Sequence, residues 1–237
     1  IRWESDKIAI LKKFIQYVLY YKTFGENNLM NKYIAELYGT FLLVLAIIGT
    51  FLMCQSMDAP GYLTLLTIAL AVALVLLSNI TIFSKVSGAH FNPAVSLMMY
   101  LRKNISFNEF LSYSTLQIIG AIAAIVFAHL TFNIGETSFS LISRDSNGIL
   151  LSEFLATAGL LVAIIHAERF MPERVPMVIS SYIFAATFFT ASTCFANPAV
   201  TISRIFTDTG VGINIESALL FLLVEFLAAF VVAKAIN

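Results

Sequence analysis

Charged residues divide this chain into apolar stretches long enough to cross a membrane. No Asp, Glu, Lys or Arg lies between Glu36 and Asp58, or between Asp58 and Lys85. About 20 apolar residues suffice for a transmembrane helix, because a helix satisfies its own backbone hydrogen bonds in the hydrocarbon core. The pattern predicts six helical spans, at about 33–53, 61–82, 109–132, 149–167, 175–190 and 215–236.

Two shorter apolar segments between these spans carry the same tripeptide. The tripeptides are Asn92-Pro93-Ala94 and Asn197-Pro198-Ala199, and Val and a hydroxyl residue follow each of them. Asn is a favoured N-cap residue, and Pro suits the first position of a helix. The sequence therefore predicts one short helix at about 93–101 and a second at about 198–206.

The surrounding sequence repeats as well, with three spans in each half. Glu36 opens the first span and Glu153 the fourth, while Gln117 in the third corresponds to Glu225 in the sixth. An odd number of spans gives the two halves opposite orientations in the bilayer. The short helices then enter from opposite faces and meet near the midplane, where the interrupted segments of inverted repeats mark the transport pathway.

The residues before each Asn-Pro-Ala are predicted to line this pathway in an extended conformation. Non-helical backbone is tolerated at membrane depth only inside protein or beside a wet cavity. We expect the asparagine amides to donate hydrogen bonds to a passing solute and the loop carbonyls to accept them. The residues expected to offer these carbonyls are Gly88, Ala89, His90, Ser192 and Thr193.

Composition favours a polytopic membrane protein. Hydrophobic residues make up 59% of the chain and charged residues 12%, whereas about 25% of a soluble domain is charged. These values exclude a soluble globular protein, a nucleic-acid-binding protein and a disordered chain. The two cysteines, Cys54 and Cys194, form no CxxC pair and no metal-binding spacing, so we expect no metal site and no disulfide scaffold.

Lys and Arg are distributed unevenly about the predicted spans. Six precede the first span, and with six spans only Arg144 and Arg204 fall on the opposite side of the membrane. Because cytoplasmic segments are enriched in Lys and Arg, we expect both termini in the cytoplasm. We also expect the protein to lie in the plasma (inner) membrane.

At these positions the sequence resembles the aquaporin, or major intrinsic protein, family. The resemblance covers about residues 31–237. Its motifs are Ala-Glu-x-x-Gly-Thr at 35–40, Ser-Gly-Ala-His-Phe-Asn-Pro-Ala-Val at 87–95, Gln117-x-x-Gly120-Ala121 and the second Asn-Pro-Ala. It implies an all-α membrane protein, with six tilted transmembrane helices and two re-entrant half-helices in an inverted repeat. It also implies a pore in each protomer of a homotetramer and passive transport of water or small neutral solutes.

The resemblance also implies how the chain is divided into a channel domain and two repeats. Residues 31–237 are expected to form the channel domain, with repeat one at 31–132 and repeat two at 149–237. Residues 1–30 are expected to form a cytoplasmic N-terminal extension; in the alternative, Met30 is the natural start and residues 1–29 precede it. As in the family, Glu36 and Glu153 are expected to accept hydrogen bonds from the re-entrant loops and anchor them, and Glu225 to act similarly.

The sequence departs from the family at the pore constriction. Most members have arginine directly after the second Asn-Pro-Ala, where this chain has Val200. By the family's spacing, the other constriction positions are Val72, Ala185 and Cys194. Phe188 or Phe189 is the alternative to Ala185 and would narrow the pore. A wide, arginine-free constriction suits glycerol or metalloid hydroxides such as arsenous acid.

The second motif extends to Asn-Pro-Ala-Val-Thr-x-x-Arg, which resembles a bacterial subgroup linked with arsenic resistance. Its last residue, Arg204, lies one helical turn after Val200 and either reaches back toward the pore mouth or pairs with Asp208. Both alternatives stay open from the sequence.

Two other transport functions also stay open. One is a water-selective aquaporin, and the other is a secondary transporter, which is also built from inverted repeats with a site at the midplane. The passive pore is favoured because the midplane segments offer asparagines, hydroxyls and aliphatic residues but no competent ion site. No nucleophile or acid–base set is present, so we expect no enzyme activity, no cofactor and no partners beyond small neutral solutes, lipid and further copies of the chain.

Overall fold

The computed structural model describes residues 29–135 and 137–236. The alternatives for residues 1–28 lie outside the described residues. Within the described part the fold consists of eight α-helices and two short 3-10 turns, at Pro172–Arg174 and Arg204–Phe206. The helices are α1 (Leu29–Ser56), α2 (Gly61–Ser87), α3 (Pro93–Leu101), α4 (Phe107–Thr131), α5 (Asn147–Phe170), α6 (Val175–Phe189), α7 (Pro198–Ser203) and α8 (Ile215–Ala235).

Local sequence sets several of the helix ends. Ser106 and Glu109 form a capping box at the start of α4. The Asn214 side chain caps α8 by accepting a hydrogen bond from the Ser217 backbone N–H at 3.0 Å. At the end of α2, Gly88 adopts the left-handed conformation (φ 87°), which stops the helix and turns the chain into the first re-entrant segment.

Five of the described helices are long and apolar enough to cross a membrane, namely α1, α2, α4, α5 and α8. The remaining predicted span, 175–190, corresponds to α6, which has 15 residues. At 1.5 Å per residue such a helix is about 22 Å long. It ends at Phe189 because the chain becomes extended at Thr190 (ψ 135°) and enters the second re-entrant segment.

The two halves of the chain pack alike. Helix α1 packs against α2 and α4, and α5 packs correspondingly against α6 and α8. Each short helix packs against the last long helix of the other half, α3 against α8 and α7 against α4. Helices α2 and α6 contact each other between the halves. These contacts between a short helix of one half and a long helix of the other join the two halves around a central cavity.

A glycine permits the closest approach between α1 and α4. A Cβ atom on Gly120 would overlap the backbone carbonyl oxygen of Leu37, so the two helices can lie this close only where the side chain is absent. The contact brings Glu36 of α1 within hydrogen-bonding distance of Gln117 of α4. Both side chains belong to the network that holds the first re-entrant segment.

Candidate functional site

Each Asn-Pro-Ala tripeptide begins a short helix. Asn92 caps α3, and its side-chain oxygen accepts a hydrogen bond from the Ala94 N–H at 2.8 Å. Asn197 caps α7 in the same way and accepts from the Ala199 N–H at 3.0 Å. The following proline of each tripeptide lies in the first helical turn, where its missing N–H removes no hydrogen bond.

The two asparagines also join the re-entrant segments to each other. The Asn92 amide donates to the Ala196 carbonyl at 2.6 Å, and the Asn197 amide donates to the Phe91 carbonyl at 2.8 Å. An NH₂ group carries two hydrogens, so each amide keeps one for another acceptor. Both asparagines line the central cavity. The remaining hydrogens and the N-terminal ends of α3 and α7 are therefore directed at whatever occupies it.

The two re-entrant segments share one unusual backbone pattern. Positive φ angles occur at residues 88, 89 and 91 and at the corresponding residues 193, 194 and 196. Only the first of these six is glycine, so five side-chain-bearing residues hold a conformation that L-amino acids rarely adopt. Such strain persists where the surrounding structure imposes it, and it is concentrated at functional sites.

The predicted carbonyl-bearing residues divide into two groups. Gly88, Ala89, His90 and Thr193 line the cavity. Ser192 is not among the residues that line it; it is completely buried, and its hydroxyl accepts a hydrogen bond from the Cys194 N–H at 3.3 Å. The expectation that Ser192 lines the pore is therefore wrong.

Glu36 holds the first re-entrant segment from the side away from the cavity. It is completely buried. Its carboxylate accepts hydrogen bonds from the His90 N–H at 3.0 Å and the Phe91 N–H at 2.6 Å. The Ser87 hydroxyl and the Gln117 amide donate to it as well, at 2.6 and 2.7 Å. A buried carboxylate is stable only with such partners, and here it fixes the strained backbone in return.

Glu153 meets the second segment in the corresponding way, but its neighbour differs. Its carboxylate accepts from the Phe195 N–H at 3.2 Å and from the Ala196 N–H. In place of the glutamine amide of the first half stands the Glu225 carboxyl, which interacts electrostatically with Glu153 and whose Oε2 has no hydrogen-bond donor among the described residues. Two carboxyl groups can share a hydrogen bond only when one of them carries a proton. Glu225 in turn accepts from the Asn197 N–H at 3.1 Å and the Thr201 hydroxyl at 2.8 Å.

Two substitutions of Glu225 distinguish its role as a hydrogen-bond acceptor for Asn197 and Thr201 from the role of its carboxyl proton toward Glu153. In Glu225→Gln, the introduced amide can donate to Glu153 as Gln117 donates to Glu36, so we expect the thermal stability in detergent to be retained. In Glu225→Ala, the Asn197 N–H and the Thr201 hydroxyl lose their acceptor, at a cost of about 1–3 kcal/mol for each buried group. Thermal unfolding of the two variants measures the difference, and equal destabilisation by both would contradict this geometry.

A cavity of about 820 Å³ extends through the fold between the two ends of α2. Its lining runs along that helix from Gly61 to Lys85 and includes both asparagines of the Asn-Pro-Ala tripeptides. We call the end lined by Arg144 and Arg204 the arginine mouth. Lys85, Glu168 and Glu173 line the opposite end. The lining between the two ends is neutral and mostly aliphatic.

The structure places three of the four predicted constriction residues on the cavity. Val72, Cys194 and Val200 line it and are buried. Ala185 does not, because it lies on the exposed side of α6. Helix α6 presents Ile183 and Thr187 to the cavity instead. The prediction that Ala185 lines the constriction is therefore wrong. Ile183 and Thr187 take its place on the cavity, and Thr187 supplies a hydroxyl group.

Neither aromatic alternative narrows the pore. Phe188 and Phe189 are 48% and 65% exposed, on the outer surface of α6, and neither lines the cavity. The cavity-lining residues at or near the predicted constriction positions thus include Val72, Thr187, Cys194 and Val200, which are small and uncharged. The Phe195 side chain, two residues before Asn197, belongs to the lining as well.

Arg204 reaches the cavity, which resolves the two alternatives left open by the sequence. Its backbone N–H donates to the Val200 carbonyl, so it lies one turn beyond that residue. Its side chain is buried, lines the arginine mouth and donates from Nε to the Val211 carbonyl. Within the described chain it forms no ion pair with Asp208, whose carboxylate accepts instead from the Leu141 N–H at 3.1 Å.

Arg144 joins Arg204 at this mouth, from the segment between α4 and α5. Burial lowers the pKa of its guanidinium, and the charge of Glu153 opposes that shift. A guanidinium is so basic that it stays protonated at neutral pH all the same. The sequence prediction had no pore role for Arg144. The available signal was that Arg144 and Arg204 are the only basic residues outside the predicted cytoplasmic segments.

Residues 24–233 match the major intrinsic protein family. The chain belongs to this family. Aquaglyceroporin AqpS of Rhizobium meliloti (strain 1021) is 39% identical over 204 residues, which are 86% of this chain and 88% of that protein. Aquaporin Z of Brucella melitensis biotype 1 is 33% identical over 146 residues, or 60% of this chain and 63% of that protein.

Structural comparison shows the corresponding fold. The X-ray structure of the aquaglyceroporin from Plasmodium falciparum matches this major intrinsic protein with a TM-score of 0.66 at 19% identity. The match covers 86% of this chain and 93% of that one. The family resemblance found in the sequence and the aquaporin-like, all-α fold class are therefore confirmed, and the chain is an integral membrane protein.

Proposed function

We propose that this major intrinsic protein is a passive channel for water and small neutral solutes, and that glycerol and metalloid hydroxides such as arsenous acid are among them. The observation that carries the proposal is the cavity between the two ends of α2, lined at its middle by Asn92 and Asn197. The similarity to aquaglyceroporin AqpS supports glycerol-sized solutes.

The lining beside Asn197 supports the same solute class. A pore selects by its diameter, by its hydrogen-bonding groups and by electrostatic barriers. Val72, Cys194 and Val200 leave more room than large aromatic side chains would, and Thr187 and the free asparagine hydrogens can bond hydroxyl groups. Glycerol and arsenous acid are both compact, neutral and hydroxylated, and they fit these conditions equally well.

A secondary transporter would need an ionisable site near the middle of the cavity. The charged residues that line the cavity are Arg144, Arg204, Lys85, Glu168 and Glu173, all toward its two ends. His90 lines it near Asn92, where its Nδ1 is hydrogen-bonded to the Ser96 hydroxyl and, among the described residues, no carboxylate forms an ion pair with its ring. Glu36 and Glu153 are completely buried, and neither lines the cavity. This arrangement favours passive flow over ion-coupled transport.

Reconstitution into liposomes distinguishes these mechanisms. For a passive channel, we expect the rate of glycerol entry to rise in proportion to the glycerol gradient and to be unchanged by a protonophore. A transporter binds its substrate and couples to an ion, so saturation at low glycerol together with collapse by the protonophore would contradict the proposal. Liposomes without protein provide the baseline.

We further propose that the protein acts in transport rather than catalysis and assembles as a homotetramer in the plasma (inner) membrane, with both termini in the cytoplasm. This orientation places the arginine mouth on the outer side. Large apolar side chains stand exposed along α2 and can contact lipid or a neighbouring subunit: Leu63, Leu66, Leu70, Leu74 and Leu77. Native mass measurement in mild detergent tests the assembly, and monomers alone would contradict it.

A further inference from the structure

The arginine mouth brings two guanidinium groups to one aromatic ring. The Arg204 guanidinium carbon lies 3.5 Å from the centroid of the Phe195 ring, and that of Arg144 lies 5.4 Å from it. Phe195 belongs to the second re-entrant segment and also lines the cavity. A cation on an aromatic face is attracted to the ring, so Phe195 holds both charges at the mouth.

Carbonyl groups, not carboxylates, hold the two side chains in place. Arg204 donates from Nε to the Val211 carbonyl. Arg144 donates from Nε to the Gly212 carbonyl at 3.0 Å and from Nη2 to the Gly210 carbonyl at 3.2 Å. In the described part of the chain, neither guanidinium has a carboxylate within ion-pairing distance. The two positive charges therefore have no direct ion-pair partner there, although the Glu153 charge attracts both from a longer distance, and they repel each other.

Both guanidiniums have N–H groups left over. Each has five N–H donors, and the hydrogen bonds above use one of them in Arg204 and two in Arg144. Among the described residues, a few side-chain polar atoms are both buried and without a hydrogen-bond partner, and no guanidinium nitrogen of Arg144 or Arg204 is one of them. Since both side chains line the cavity, these donors face the solute path at its entrance.

We propose that Arg204 and Arg144 together form the charge filter of this pore, one helical turn beyond Val200. Positive charge without a paired carboxylate beside a low-dielectric passage raises the barrier to hydronium and other cations, while the free N–H groups donate hydrogen bonds to the oxygens of entering neutral solutes. The mouth thus selects by charge, and the small residues beside Asn197 select by size. The inference rests on the proposed passive channel and assigns it two specificity-determining residues.

The test is the ratio of proton leak to glycerol flux in proteoliposomes, measured with a pH dye under an imposed potential and by light scattering. This ratio does not depend on how much protein is folded and inserted. For the double substitution Arg144→Gln and Arg204→Gln, we expect the ratio to rise about tenfold, as the loss of nearby unit charges predicts. Arg144→Lys with Arg204→Lys keeps the charges and should keep the ratio close to wild type. Lys85→Gln, at the opposite mouth, is the matched control for loss of a cavity-lining cation.

Each outcome decides the proposal. An unchanged ratio in the double glutamine variant, or an equal rise in Lys85→Gln or in the double lysine variant, would overturn the filter. If Arg204→Gln fails to insert because it loses its bond to the Val211 carbonyl, Arg144→Gln alone must raise the ratio, and an unchanged ratio there overturns the proposal too. Wild-type protein that passes no glycerol would contradict the proposed channel instead, which keeps the two failures apart.

Discussion

The substitution Val200→Arg is expected to lower glycerol and arsenous acid flux by about tenfold or more while lowering water flux only about twofold, because pore selectivity depends on diameter and on fixed charge. Val200 lines the cavity in the first turn of α7, three residues after Asn197, and aliphatic residues of α2 line the same cavity. An arginine side chain there would fill the space through which a three-carbon solute passes, whereas single-file water needs less. Stopped-flow light scattering of proteoliposomes measures all three fluxes.

A neutral replacement of larger size serves as the control for Val200→Arg. Val200→Leu adds a methylene without charge, so we expect a modest loss of glycerol flux and none of the added cation exclusion. If Val200→Arg lowered water and glycerol flux by the same factor, the narrowest part of the pore would lie elsewhere. The face formed by Ile183 and Thr187 would then be the next region to examine, because it lines the same cavity from α6.

A membrane-impermeant mercurial is expected to block the wild-type pore by about tenfold through Cys194, because a bulky adduct on a cavity-lining thiol obstructs a path only as wide as its solute. Cys194 lines the cavity within the second re-entrant segment. The protein offers a matched control, since Cys54 is also buried and unpaired but does not line the cavity. Glycerol flux with and without the reagent measures the block.

The two serine variants separate the possibilities. Cys194→Ser should conduct and resist the mercurial, whereas Cys54→Ser should remain as sensitive as wild type. Loss of the block in Cys54→Ser, with retention in Cys194→Ser, would show that the solute path avoids the second re-entrant segment. The reagent should act faster from the side of the arginine mouth. Cys194 directly precedes Phe195, whose ring contacts both arginines of that mouth.

Features that depend on residues close together in the sequence could be predicted from it. The two Asn-Pro-Ala tripeptides specify a cap and a first-turn proline, and both short helices begin where those residues predict. The long spans follow from the separation of charged residues. Glu36 and Glu153 stand out because a carboxylate inside an apolar span needs partners, and both accept hydrogen bonds from re-entrant backbone amides.

Positions that depend on the course of irregular backbone could not be predicted in the same way. The family's spacing reaches Ala185 by a count back from Asn197 through residues 190–197, a non-helical stretch in which a residue count does not fix the direction of a side chain. The burial pattern of α6 gives the correct face, since Ile183, Ala186 and Thr187 are buried at helical spacing and Ala185 is exposed. Arg144 reaches the mouth through an irregular segment, and only the folded chain brings it to Phe195.

The proposed function requires that small neutral solutes larger than water pass through the cavity lined by Asn92 and Asn197. The most direct test is stopped-flow permeability of the purified wild-type protein in liposomes, comparing water, glycerol, urea and arsenous acid in one preparation. We expect all four permeabilities to exceed those of protein-free liposomes. Passage of water together with exclusion of glycerol, urea and arsenous acid would contradict the claim and indicate a water-selective pore.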